Sequence, residues 1–130
     1  MVEVEIRGKK FPLCLTVAAL DQVNERCGSL AGVSQWLSGN GNAFEGLCNV
    51  AWMLGLLIQE GEENRLVESR FTGEQTDRRA VPDSDAIRHL MTPGEIKNFM
   101  VPVMEAVHES VAQTIEAEET PSKNGESAGQ

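Results

Sequence analysis

Apolar and polar residues alternate along the start of the chain and then fall into a three- to four-residue rhythm. That change of period predicts a hairpin followed by helices. Val2, Val4 and Ile6 alternate with Glu3, Glu5 and Arg7, Gly8-Lys9 follows, and Phe11, Leu13 and Leu15 then alternate with Pro12, Cys14 and Thr16. Pro12 has no N–H, so the second strand is expected at an edge or only partly paired. From Thr16, a capping residue, the spacing predicts a helix with Leu20, Val23 and Cys27 on one face and Gly28 as its stop. Ser29 caps a short second helix with Leu30, Val33, Trp36 and Leu37 inward, and Ser38-Gly39-Asn40-Gly41-Asn42 is a loop.

The third helix, expected from Ala43 to Glu60, is apolar nearly all round through Phe44, Leu47, Cys48, Ala51, Trp52, Leu54, Leu57 and Ile58. Such a helix belongs at the centre of a domain, with Gly55 admitting a neighbouring backbone. Glu60 to Ala80 is the most polar stretch. Only Leu66, Val67 and Phe71 anchor it, which predicts a short exposed helix and then a mobile loop. Pro82-Asp83-Ser84 opens a short helix, Asp85 to Leu90, with Ile87 and Leu90 inward. Thr92-Pro93-Gly94-Glu95 is a capping-box start. The helix it opens carries Ile96, Phe99, Met100, Val103, Val107, Val111 and Ile115, and Pro102 inside it should bend or split it. Beyond Glu119 the composition cannot build a core. The expected architecture is mainly α: a small helical domain with an N-terminal β-hairpin over 1–118, and a disordered acidic C-terminal tail over 119–130.

Composition narrows the function. At 130 residues and 41% hydrophobic the chain fits one domain, and a formal charge of −9 disfavours nonspecific binding to DNA, RNA or anionic lipid. No nucleic-acid or membrane partner is therefore expected. The apolar stretch Ala43 to Ile58 is interrupted by Glu45, Asn49 and two glycines and is shorter than the roughly 20 residues of a spanning helix. The first residues lack the basic-then-apolar order of a signal peptide. Cys14, Cys27 and Cys48 lie at no metal-ligand spacing among apolar neighbours, which reads as three small hydrophobes in a reducing cytosol.

Candidate chemistry is sparse. His89 and His108 read as exposed helix positions, and Cys48, expected inside the apolar helix, as an inert thiol. Glu62-Glu63 and Glu118-Glu119 sit on polar faces. Arg78-Arg79, surrounded by Asp77, Asp83 and Asp85, reads as a solvated loop. The glycines do not form a phosphate loop, and Trp36 and Trp52 are spaced like core residues. No catalytic residue, metal site or cofactor is expected, and the chain does not read as an enzyme. An acidic mimic of nucleic acid would need its carboxylates on one face, whereas they are scattered over several elements.

The last helix carries more apolar surface than a domain of this size needs. Phe99, Met100, Val103, Met104, Val107 and Val111 form the candidate partner-binding face, flexible methionines suiting varied client sequence; the other reading packs the whole stripe inside the domain. The order of parts carries a resemblance. Ile6-Arg7-Gly8-Lys9-Lys10-Phe11-Pro12-Leu13 leads into a helix beginning Thr16-Val17-Ala18-Ala19-Leu20, an apolar helix Phe44 to Ile58 follows, and Leu90-Met91-Thr92-Pro93-Gly94-Glu95-Ile96 opens the last helix. Over residues 2 to 118 this layout resembles the small tail assembly chaperones of long-tailed bacteriophages and related gene transfer agents. The resemblance implies a non-enzymatic factor that coats the tape measure protein and helps recruit tail tube subunits. It further implies action in the host cytoplasm, absence from the finished virion, self-association, and a longer form made by frameshifting, for which residues 121–130 would serve as linker. The alternative is a structural virion subunit, such as a head–tail connector or minor tail protein.

Overall fold

A computed structural model describes residues 1–110, and a single long helix forms its centre. In chain order the elements begin with β1 (Glu3–Ile6), β2 (Lys9–Pro12), α1 (Val17–Cys27), a 3-10 turn (Leu30–Gly32) and α2 (Val33–Leu37). There follow α3 (Ala43–Thr72), α4 (Ser84–Leu90), α5 (Pro93–Lys97) and α6, helical over 100–110. The chain is mainly helical with an N-terminal antiparallel hairpin, as its patterning predicts. The expected boundary at residue 118 and the tail over 119–130 lie outside the described residues.

The hairpin turns on Arg7 (φ 52°) and Gly8 (φ 81°), the left-handed pair that a two-residue turn between twisted strands requires. Its register pairs Ile6 with Lys9, Glu5 with Lys10, Val4 with Phe11 and Glu3 with Pro12. The pair flanking a two-residue turn is hydrogen-bonded and the pattern alternates from there. Glu3–Pro12 is therefore a non-bonded pair, so the N–H that Pro12 lacks is not missed. The alternation continues where the Leu13 N–H donates to the Val2 carbonyl at 2.9 Å. Val4, Ile6 and Leu13 are buried on the inner face.

That face lies on α3, where Val50, Met53, Leu54, Leu57 and Ile58 are buried, and α2, α4 and α5 pack around the same helix. A helix covered on several sides must be crossed closely by other backbone, and three glycines make room, one of them Gly46, where a Cβ would meet the Leu37 and Ser38 carbonyls. A Cβ on Gly55 would collide with Ser84 Cα and N at the start of α4. One on Gly61 would collide with the Pro12 carbonyl oxygen on β2. At the Gly55 crossing Ser84 Oγ donates to the Trp52 carbonyl at 2.7 Å, and at the Gly61 crossing the Cys14 N–H donates to the Leu57 carbonyl at 3.2 Å. The expectation that Gly55 admits a neighbouring backbone is met.

The largest departure from the sequence reading is the polar stretch. Instead of stopping near Glu60, α3 runs to Thr72 and ends on left-handed Gly73. Its extension keeps one inward face, Glu62, Leu66 and Ser69, whereas Val67 and Phe71 point about 100° and about 140° away from Leu66 and are exposed. The end of the Glu60 to Ala80 stretch, expected as a mobile loop, is tied back along the helix over residues 74–80, and so is Val81. Glu62, only 3% exposed, accepts from Arg65 Nη2 at 2.6 Å, from the Arg79 backbone N–H at 2.6 Å and from Arg79 Nε at 3.2 Å. Ser69 Oγ donates to the Glu74 carbonyl, Gln59 to the Val81 carbonyl, and Arg78 pairs with Glu63. A buried carboxylate satisfied from three directions holds this strap.

Smaller differences follow local geometry. Thr16 occupies the cap position of α1, but its hydroxyl donates to the Glu60 carboxylate. Leu30, in the 3-10 turn, and Leu90, at the end of α4, face out rather than in. The Thr92–Glu95 capping box forms as expected. The last helix does split, but at Asn98–Phe99, and Pro102 falls in the first turn of α6, where an N–H has no intrahelical partner to lose. Arg7 closes the assembly, its guanidinium reaching Glu95 at 2.5 Å and the Leu90 carbonyl at 3.1 Å.

Two outcomes follow. Gly61→Ala and Gly55→Ala should each lower unfolding free energy by about 1–3 kcal/mol in urea titrations, the usual range for overpacking. Gly94→Ala, with open space around its Cβ, should not. Glu62 is pulled down to about 2 by the Arg65 hydrogen bond, against the cost of burial, with help from Arg79; Glu95 is pulled down to about 2 chiefly by Arg7. Depressed carboxylates stabilise above their unfolded pKa near 4.5 and lose that contribution as pH falls towards 2. The melting temperature should therefore drop across that interval, and Glu62→Gln should flatten the drop while costing about 1–3 kcal/mol at pH 7.

Candidate functional site

The face drawn from the last helix is divided by the fold. Val103 is 0% and Val107 1% exposed, both inside the core built on α3. Phe99, Met100 and Met104 are half-buried against that core. Val111 lies outside the described residues. Val17, Phe71 and Val101 stand exposed at other places on the surface, and one open apolar concavity lies between the first half of α3 and the α4–α5 corner.

There, Leu47, Cys48 and Ala51 of α3 face Arg88 of α4 and Met91, Pro93 and Ile96 around the start of α5, enclosing an open groove of about 300 Å³. Ala51, Met91 and Ile96 are buried and form the floor, whereas Leu47 is half-buried and Cys48 exposed on the wall. Phe44, one turn before Leu47 and Cys48, is 79% exposed and continues the same stripe of α3 into solvent. Arg88 is the charge at the rim; its nearest acid, Asp85, is 3.9 Å away. Local sequence accounts for the shape. Asn42 caps α3 by accepting from the Glu45 N–H, which starts the helix one residue before Phe44, and the Asp83 and Thr92 caps fix where α4 and α5 begin.

This arrangement corrects the reading of Cys48 as a buried thiol: an apolar sequence neighbourhood on an all-round apolar helix does not say which side the partner layer leaves open. Cys14 and Cys27 are the half-buried thiols. Burial pushes the Cys14 thiol up, and the carboxylates of Glu60, Glu68 and Glu109 add to the rise. Burial raises Cys27 too, against the opposing charge of Arg26.

The remaining candidates settle into structural duties. Trp36 and Trp52 pack edge to face with centroids 5.6 Å apart, and the Arg26 guanidinium lies 4.6 Å from the Trp52 ring centroid. His89 and His108 are exposed, and His89 Nδ1 lies 3.0 Å from the Asp85 carbonyl of its own helix. Glu62, read from sequence as lying on a polar face, is instead the buried anchor of the strap. Arg78 and Arg79, read as a solvated loop, are drawn onto Glu63 and Glu62. Among the described residues no group of three metal-ligating side chains converges, and no helix is long and apolar enough to cross a membrane.

The groove is open, shallow and apolar, with one cation at its edge and no paired titratable groups, an arrangement suited to holding side chains of another chain. The sequence matches no protein-family model, no curated protein and no solved structure.

Alkylation of the native protein should mark the exposed Cys48 first and the half-buried Cys14 and Cys27 later, because reagent reaches Cys48 freely while burial holds the other two thiols protonated. Peptide mapping after limited iodoacetamide treatment reads the order. Cys14 reacting ahead of Cys48 would contradict the placement of α3.

Proposed function

We propose that this protein is a non-enzymatic assembly chaperone that shields apolar helical surface on a client, the tape measure protein of a long-tailed phage or related particle. In that role it also helps bring tail tube subunits to the client. The observation that carries the reading is the open groove of α3 and the α4–α5 corner, continued by the solvent-standing Phe44 ring. A groove with an apolar floor and a row of side chains at helical spacing fits the apolar stripe of a long helix. The charge of −9 would keep a loaded complex dispersed. The layout of hairpin, central apolar helix and capped last helix adds the resemblance already described.

In this scheme the client helix lies across Leu47, Ala51, Met91 and Ile96, with Phe44 closing over one end and Arg88 meeting a carboxylate at the edge. The buried stripe of α6 has a different duty, holding the groove's supporting core together through Val103 and Val107. The protein acts in the host cytoplasm and leaves before the particle is complete.

Co-expression tests the scheme. The tape measure protein encoded beside this gene should become more soluble and co-purify. Leu47→Lys or Phe44→Glu should abolish the gain, while Val101→Lys, exposed outside the groove, should not. No gain with the unaltered chain would contradict the reading. Recovery of the protein in stoichiometric amount from purified particles would favour a structural subunit instead.

A further inference from the structure

A second concavity lies on the far wall of the hairpin. Lys9, Lys10 and Phe11 of β2 face Arg79, Ala80 and Val81 of the strap across a cleft of about 490 Å³. Three cations gather here in a chain whose net charge is −9. Lys9 and Lys10 have no ion pair among the described residues, though Glu5 stands opposite Lys10 on β1. Arg79 is held through its backbone N–H and Nε by the buried Glu62, and its two Nη groups have no partner among the described residues. Its guanidinium is therefore fixed in place with its outer edge unused, the condition under which an arginine binds a carboxylate with least loss of freedom.

The backbone is unused as well. Because Ile6–Lys9 flanks the two-residue turn, Glu5–Lys10 is a non-bonded pair, and the Lys10 N–H and C=O project from the outer edge of β2. This is the edge on which the Pro12 carbonyl meets Gly61, so it faces α3 and the strap. Neither Lys10 backbone group has a partner among the described residues. Nor do the N–H and C=O of Ala80 or the N–H of Val81 across the cleft, where the Val81 carbonyl alone is taken, by Gln59. Phe11 and Val81 are half-buried and give the cleft apolar wall.

We propose that the cleft between β2 and the strap binds an extended acidic segment of a partner protein, one alternating carboxylate and apolar side chains, added as a third strand at Lys10. The partner's backbone pairs with the free N–H and C=O of Lys10, the carboxylates on one of its faces meet Lys10 and Arg79, and an apolar side chain of its other face rests on Phe11 and Val81, with Lys9 beside them adding only its charge. Lysine and proline on an edge strand also prevent a sheet from pairing with copies of itself, since two β2 edges would bring like charges together. That repulsion selects against self-association and admits an acidic strand. A nucleic acid is disfavoured by the negative field of the rest of the molecule. The site is separate from the α3–α5 groove and does not rest on the chaperone reading.

The test is a titration of the 15N-labelled full chain with a nonapeptide of alternating Glu and Val, followed by amide shifts. Saturable changes confined to residues 9–11 and 79–81, with slowed exchange of the Lys10 amide, are expected. Lys10→Gln, which removes the charge without setting a second carboxylate opposite Glu5, should weaken binding about tenfold, equivalent to about 1.4 kcal/mol, without altering the thermal melt. A peptide of alternating Lys and Val should not bind, and N-methylation of the central amides should weaken the acidic one. Four results would overturn the proposal: no saturation into the millimolar range, equal binding of the Lys–Val peptide, indifference to N-methylation, or equal binding of free glutamate or inorganic phosphate, which would mark a simple ion site.

Discussion

A helix buried on several sides leaves the rest of its chain nowhere to pass except directly across it. That constraint organises this protein. The thirty residues of α3 carry so much apolar surface that hairpin, α2, α4 and α5 all pack on it. The chain crosses it where the helix has no side chain, at Gly61 beneath Pro12, at Gly55 beneath Ser84 and at Gly46 beneath Leu37 and Ser38. Glycine in a helix interior costs roughly 1 kcal/mol in propensity. Here that cost is offset by three backbone crossings that larger residues would forbid.

Once those crossings are fixed, the rest follows. Pro12 on Gly61 sets the height of the hairpin, and its turn then delivers Arg7 to Glu95 and the Leu90 carbonyl, tying the first element to the α4–α5 corner. Ser84 on Gly55 sets where α4 begins and so how far α5 stands from the start of α3. The groove is the gap between those two placements, open because α4 and α5 are short and α3 begins before they reach it. The strap returns along the other half of α3 under the hold of Glu62, and the second cleft is the gap between it and β2. Both concavities are consequences of how closely neighbours can approach one helix.

Much of this was legible in the residues. Period-two alternation identified the hairpin, and the all-round apolar run from Phe44 identified the central helix. Thr92-Pro93-Gly94-Glu95 marked a helix start that the structure places at Pro93. What could not be read is which side of a nearly uniform apolar surface stays uncovered. Phe44 and Cys48 look the same in sequence as Leu54 and Leu57, and only the reach of α4 and α5 separates them. The polar stretch misled for a related reason. Composition treats Glu62 as a solvated carboxylate, but its burial depends on Arg65 one turn on and Arg79 far along the chain, a partnership that no local pattern encodes. The break before α6 was expected at Pro102 because proline is the visible helix breaker. The chain breaks earlier, and the proline sits in the first turn of the next helix.

The separation between an internal stripe and an external groove is the centre of this account, since it decides which apolar surface is free for another chain. Hydrogen exchange of the isolated protein measures it directly. If α6 belongs to the core, the amides of Val103 to Val107 should exchange as slowly as those of Met53 to Ile58 and respond together to mild denaturant. Fast exchange over 103–107 while 53–58 stays protected would show that α6 opens on its own. The stripe, rather than the groove, would then be the surface on offer.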